Sequence, residues 1–368
     1  MRPTILTKLL CLSLSLSLSL SMTACLADVG GGQCVGERCN DDPGPDGGMP
    51  TPATCTNPQE VTTPLVIRSD ADLASLPKGC WSLNASLRLE GPAITSLAKL
   101  GDLTEVNDLE IVDTGLAQLD FKRQVKVWGS LLVSGNSKLG ALNNLAVEKW
   151  EGATNGGAFF VSYTVRNNPQ LSALEGLRYI QTVDGDLRIT DNGKLGAIEL
   201  AELARVGGTL AISNTGAPAI HVPALSQVGR VEVSGNTALT TLRGFSATSI
   251  GGDLILRGNP ALSSLGTTSS LSQISGALIV DDNDALADLG GLTGAMQRVI
   301  GTVTITGNAN LTSLGALSHA QQINSASITN NPKLGTCRAV EIDHCVPNST
   351  VTISGNLTQN NCACWCGQ

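Results

Sequence analysis

The sequence predicts an all-β fold: a right-handed β-helix, or solenoid, of about eleven coils of 21–25 residues, with one expanded coil and disulfide-capped ends. Three observations carry that expectation. One phrase recurs, as GSLLVSGNSKLGAL from Gly129, GDLRITDNGKLGAI from Gly185, GDLILRGNPALSSL from Gly252, GALIVDDNDALADL from Gly276 and GTVTITGNANLTSL from Gly301. The Asn of that phrase returns at a near-constant interval. Composition agrees: of 368 residues 41 are Gly, while charged residues make up 15% and aromatics 3%, which suits stacked strands joined by tight turns.

The first 25 residues, MRPTILTKLLCLSLSLSLSLSMTAC, read as a targeting segment. Arg2 and Lys8 supply a positive start, Leu9 to Ser21 an apolar stretch, and the small residues Thr23 and Ala24 precede Cys25. The stretch is too short and too rich in Ser for a membrane span. Met-Thr-Ala-Cys resembles a bacterial lipobox, with Met22 in the place usually held by Leu. The expectation is therefore a signal peptide over 1–24 and lipidation of Cys25, an anchor that tethers the chain to a membrane of the cell envelope at the outer membrane or cell surface; without lipidation the product is secreted.

Residues 25–54 are rich in Gly, Pro and Asp and nearly devoid of large apolar side chains. Such a stretch cannot bury a core and reads as a flexible tether. Its acids, Asp41, Asp42 and Asp46, fit no calcium-loop spacing.

From Cys55 to the end the chain is one repeat array. The Asn falls at Asn136, Asn168, Asn192, Asn236, Asn259, Asn283, Asn308, Asn331 and Asn356, with Thr114 and Thr215 in the same place in two further coils. In order, the intervals are 22, 32, 24, 23, 21, 23, 24, 25, 23 and 25 residues. Leu-x-Ile alternates at period 2, so both side chains point inward from a short strand. Gly-Asn and Asn-Asn pairs turn the corner because both residue types tolerate positive φ. An inward Asn amide donates to and accepts from adjacent coils, so the stacked copies form a structural ladder. Leu at three residues past the Asn fills the next side, and Gly pairs such as Gly207-Gly208 and Gly251-Gly252 bend the chain into the following strand. Little α-helix is expected.

Leu-x-Leu-x-x-Asn is shared with ordinary leucine-rich repeats, but there the next Leu comes two residues after the Asn, and here it comes three after. The pattern resembles the receptor L-domain family, the β-helical ligand-binding modules of insulin and epidermal growth factor receptors, over roughly Cys55 to Cys366. Leu73-x-x-Leu76 leading to Cys80 and LRLEGPAITSL is similar to that family's opening, which implies an N-terminal cap closed by Cys55 and Cys80. The array has about twice the coils of one L-domain, so it is either an elongated domain or two fused without a linker.

Cys34, Cys39, Cys55 and Cys80 lie near the front, and Cys337, Cys345, Cys362, Cys364 and Cys366 form a Cys-rich cap from about 337. In an exported chain such clusters read as disulfides, with one thiol of the nine left over, and Cys34 with Cys39 make a small local loop. A zinc or copper site in CACWC is the lesser reading. No metal, cofactor or catalytic residue is expected. His221, His319 and His344 fall in different coils, and Asp281, Asp282, Asp284 and Asp191 read as polar corners.

An excess of 31 acidic over 23 basic side chains argues against nucleic acid as partner. The expected function is non-enzymatic recognition or adhesion, with a protein or glycan ligand held on a solenoid face. The alternatives are a carbohydrate-active β-helix enzyme and a purely structural envelope component. The candidate ligand anchors lie in the one long interval, Asn136 to Asn168, which carries Trp150, Phe159, Phe160 and Tyr163. Tyr163, five residues before Asn168, also aligns with the inward position of the strand.

Overall fold

The computed structural model describes residues 55, 57–69, 71–147, 161–244, 246–266, 271–292, 296–315, 317, 320–345 and 350–358. They form a β-solenoid of about eleven turns, built from parallel strands stacked coil on coil. One long sheet runs through the whole array, from Leu65–Ile67 through Leu87–Glu90, Leu109–Val112, Leu131–Ser134, Tyr163–Arg166 and Leu187–Thr190 to Thr350–Ser354. A second, five-stranded sheet covers another side of the first coils: Gln59–Val61, Cys80–Leu83, Asp102–Val106, Val125–Val127 and Leu145–Val147. Ile198–Glu199, Ala219–His221 and Thr241–Arg243 make a third sheet.

The recurring phrase is in register with itself. Leu254 pairs with Leu278 and Leu256 with Val280; two coils on, Val303 pairs with Ala326 and Ile305 with Ile328. The inward residues of this row, from Leu87 and Leu89 to Ala326 and Ile328, are buried. The Leu residues three past the corner, from Leu139 to Leu334, are buried too, and a single core cluster runs from Ile67 to Ile342.

The corners refine the sequence reading. Positive φ falls on the residue before the ladder position, at Asp113, Gly135, Asn167, Asp191, Asn214, Gly235, Gly258, Asp282, Gly307, Asn330 and Gly355. The ladder residue itself is not left-handed. Only short polar Asx side chains or Gly occupy this turn, because a Cβ and a bulky side chain are disfavoured there.

The Gly that opens each phrase is needed for a different reason. Gly129, Gly185, Gly208 and Gly276 are outside the positive-φ region. A Cβ on them would collide with Asp108 Oδ1, Ser162 Oγ, Asp186 Oδ1 and Asp253 Oδ1 respectively. All four of those oxygens accept the backbone N–H one residue past the Gly: Asp108 from Ser130 (2.7 Å), Ser162 from Asp186 (3.0 Å), Asp186 from Thr209 (2.7 Å) and Asp253 from Ala277 (2.8 Å). Gly207-Gly208 does not break the chain into separate strands as expected. Arg205–Ser213 runs through the pair as one strand, with its register to the next coil shifted between Val206 and Thr209.

The expanded coil keeps normal pairing. Tyr163 pairs directly with Leu131 on one side and Leu187 on the other. One α-helix departs from the all-β expectation: Thr336–Cys345, in the last coil. Ala339 and Ile342, three apart and thus on one face, are buried in the core cluster, and Thr350–Ser354 resumes the long sheet after it. No helix of the described residues is long and apolar enough to cross a membrane.

Candidate functional site

The repeated Asn is an internal structural rung. Asn136, Asn168, Asn192, Asn236, Asn259, Asn283, Asn308 and Asn331 are fully buried, and Asn356 is partly so. Asn259 shows the pattern. Its Oδ1 accepts the backbone N–H (3.0 Å) and the side-chain amide (3.2 Å) of Asn236. Its Nδ2 donates to the Val233 carbonyl (3.0 Å) and to Asn283 Oδ1 (3.0 Å). Such bonds run from Thr114 to Asn192 and again from Thr215 to Asn356.

Thr opens each run, donating both its N–H and its hydroxyl to the next Asn, as Thr114 does to Asn136 at 2.9 and 2.6 Å. In the coil before Thr114 the matching position is Pro92, since Glu90 pairs with Val112. Proline has no N–H, so a Thr that offers no amide oxygen leaves nothing unpaired there.

Of the four aromatics proposed as ligand anchors, Tyr163 is corrected: it is 2% exposed and fills the core between Leu131 and Leu187. Burial, with the nearby Asp184 charge, pushes its phenol well above the ordinary range, so it stays protonated. Trp150, Phe159 and Phe160 lie outside the described residues.

Cys55 and Cys80 are disulfide-bonded, with Cα atoms 5.9 Å apart, and Cys337 is also in a disulfide. Cys345 ends the helix; Cys25, Cys34, Cys39, Cys362, Cys364 and Cys366 fall outside the described residues. His221 Nδ1 lies 2.9 Å from Glu199 on the surface, while His344 is in the helix and His319 is not among the described residues. Among the described residues no three His, Cys, Asp or Glu side chains gather as a metal site would require.

The outward face of the long sheet changes character along the array. In the earlier coils it is laced with ion pairs: Arg88 with Glu90 (3.0 Å) and Glu110, Arg188 with Asp186 (2.9 Å), Arg257 with Asp281 (2.9 Å). In the last three strands the outward positions of Thr302–Thr306, Ser325–Thr329 and Thr350–Ser354 are all hydroxyls: Thr302, Thr304, Thr306, Ser325, Ser327, Thr329, Thr350, Thr352 and Ser354. Thr306 and Thr329 hydroxyls meet at 3.0 Å, a cross-strand pair of the kind that stabilises sheets.

A concave feature of the surface lies on the second sheet. A groove of about 370 Å3 is lined by Pro58, Glu60, Ser82, Leu83, Asn84, Glu105, Asn107 and Trp128. The strands fix each group. Glu60 points outward from Gln59–Val61, and Asn84 and Asn107 sit in the turns that follow Cys80–Leu83 and Asp102–Val106. Asn107 Nδ2 donates to Asn84 Oδ1 and Asn84 Nδ2 to Glu60 Oε1, each at 3.0 Å, which makes a solvent-facing counterpart of the buried ladder. Trp128 directly follows Val125–Val127, and its indole N–H donates to Glu105 Oε2 at 2.9 Å. Lys126 holds its ammonium 5.3 Å from the Trp128 ring centroid. Lys126 is not among the residues that line the groove.

This groove was not read from the sequence. Its residues belong to four successive coils, and the strands QEV, CWSL, DLTEV and VKV share no phrase. The available signal was spacing: Asn84 to Asn107 is one coil, and Trp128 lies about one coil further on. No protein-family model matches the chain, and no curated protein or solved structure matches it. The fold defines its class as a β-solenoid stapled by a disulfide at its first coils.

Proposed function

We propose that the protein is a non-enzymatic recognition or adhesion protein of the cell envelope, anchored through lipid on Cys25 and raised on the 25–54 tether. Its ligand is held on the second sheet of the solenoid, in the groove of Glu60, Asn84, Glu105, Asn107 and Trp128. The single observation that supports this most is the groove itself: polar groups of three successive coils converge on one concavity beside an aromatic side chain from a fourth. Rigid strands hold these groups in place before any ligand arrives, which is how an extended solenoid face gains affinity. The resemblance to ligand-binding L-domains and the lipobox-like Met-Thr-Ala-Cys point the same way.

A second reading draws on one observation. Glu60 and Glu105 lie in one groove, on strands two apart in the second sheet, which separates their backbones by roughly 10 Å. Pairs of carboxylates about 6.5–9.5 Å apart serve inverting glycosidases. Glu60 is exposed, however, and each carboxylate already accepts a hydrogen bond. Recognition is therefore the preferred reading.

Two experiments test it. Full-length protein should take up a palmitate analogue in cells of its source and lose that label with Cys25→Ala; unlabelled wild type removes the anchor. Purified full-length protein incubated with envelope material should retain a component without releasing reducing sugar. Sugar release that disappears with Glu60→Gln or Glu105→Gln would replace the recognition reading with the glycosidase.

A further inference from the structure

We infer that the groove on the second sheet binds a neutral carbohydrate chain, laid along the solenoid axis with one ring packed on Trp128. The inference rests on the recognition reading and names its ligand class.

Four features of the groove favour that chemistry. Among the described residues its lining carries two carboxylates and no cationic side chain, so phosphates, nucleic acids and uronic-acid chains are repelled. Its polar groups are planar carboxylates and primary amides, which engage neighbouring hydroxyls in pairs: carboxylates only accept, while amides both donate and accept. Those groups are already oriented by one another, through Asn107 to Asn84, Asn84 to Glu60 and Trp128 to Glu105, so little ordering is left to bind. Capacity remains on them as well. Among the described residues Glu60 accepts one side-chain hydrogen bond, and a carboxylate has about four acceptor sites.

Trp128 supplies the apolar component. It is half-buried, its nitrogen is tied to Glu105, and the Lys126 ammonium lies 5.3 Å from its ring centroid. What remains toward the groove is a fixed aromatic surface, which suits the C–H face of a sugar ring and would leave a hydrated ion or a carboxylate without partners.

The rungs set direction. Glu60, Asn84 and Asn107 belong to successive coils, so they repeat along the axis at roughly the 4.8 Å strand spacing. A polymer of rings that lies along the axis meets a fresh polar rung at each step, whereas a chain crossing the axis meets only one. The volume of about 370 Å3 is at the lower end of the ~300–1,000 Å3 range of ligand clefts, enough for a short stretch of such a chain.

The test is calorimetric titration of the full-length protein with cellohexaose and chitohexaose as neutral probes, and with hexa-galacturonate and hexalysine as charged ones. At least one neutral hexaose is expected to bind, and hexa-galacturonate is expected not to. Trp128→Ala should weaken the neutral probe at least about tenfold, while Trp128→Phe, which keeps a ring, should stay within about threefold. Circular dichroism checks that each variant is folded. Should Trp128→Ala fail to fold, the double variant Glu60→Gln, Glu105→Gln carries the test: it keeps the groove's shape, loses both charges, and should admit hexa-galacturonate. Binding of hexalysine alone, no binding of either neutral hexaose, or a folded Trp128→Ala that binds like wild type overturns the inference. Capture of envelope material that is lost in Trp128→Ala, with neither hexaose bound, would overturn the carbohydrate class and leave recognition standing. Capture that is equal in both would overturn the site.

Discussion

Replacing Asn259 with Ala asks the most of the buried ladder. The side chain is fully buried and makes four hydrogen bonds, two accepted from Asn236 and two donated to Val233 and Asn283. Truncation leaves the Asn236 backbone N–H without its side-chain acceptor in a dry interior. It also removes one bond each from the Asn236 amide, the Val233 carbonyl and Asn283 Oδ1, which keep other partners. An orphaned buried polar group costs about 1–3 kcal/mol, so one full and three partial losses come to roughly 3–5 kcal/mol. Water cannot offset this, because the neighbours of the corner are Leu254, Leu256 and Leu262, all buried. Asn310→Ala is the control: its amide donates to the Asp284 carbonyl at the surface, and the change should stay within about 0.5 kcal/mol. Urea unfolding followed by circular dichroism reads both. Because coils contact only their neighbours, the Asn259→Ala transition should also broaden as the two halves uncouple. A loss under about 1 kcal/mol with an unbroadened transition would refute the reasoning that the ladder is a stability element.

Gly208→Ala should cost about 1–3 kcal/mol, since its Cβ meets Asp186 Oδ1 and the Gly185 carbonyl, while Gly193→Ala, with open space around it, should be near neutral in the same unfolding assay. The Asp186 carboxyl is held below its ordinary 3.8 chiefly by the Thr209 backbone N–H, with Arg188 assisting. A depressed folded value gives stability that is complete above the unfolded value and lost as pH falls through the folded one, so acid melting should set in below about pH 4 and Asp186→Asn should flatten that limb in a pH series of thermal melts. Reducing or replacing the Cys55–Cys80 bond, which spans 25 residues, should lower stability by about 3 kcal/mol and loosen the first coils, seen as faster amide exchange around Trp81.

Much of the fold was legible because each coil repeats the same physics. Leu254 and Leu256 had to point inward together, and an Asn at fixed spacing inside an apolar row had to be paired with its own copies. Other features depend on neighbours in three dimensions. Gly129, Gly208 and Gly276 are required by an Asp side chain of the previous coil, which no local pattern reveals. Trp81 reads as one more residue beside Cys80, yet it is fully buried and donates its indole N–H to the Leu100 carbonyl at 2.8 Å. The helix Thr336–Cys345 left a weak signal in the spacing of Ala339 and Ile342, masked by the attention that its cysteines draw.

The candidate site was the least legible part. Attention to aromatic density led to the long interval, and of its four aromatics Tyr163 belongs to the core. Trp128 stands alone in its stretch of sequence and acquires partners only when coils stack, through Glu105 from the coil before it. The long interval does bear on the same sheet: Leu145–Val147, from which it departs, pairs with Val125–Val127, the strand that ends beside Trp128.

The proposed function stands or falls with ligand binding at Trp128. The most direct measurement is capture of envelope material by full-length wild type and Trp128→Ala side by side, with folding verified for both. Wild type should capture it, and the variant should lose at least about tenfold, the effect of an aromatic hot spot. Equal capture by the two proteins would contradict the proposed function.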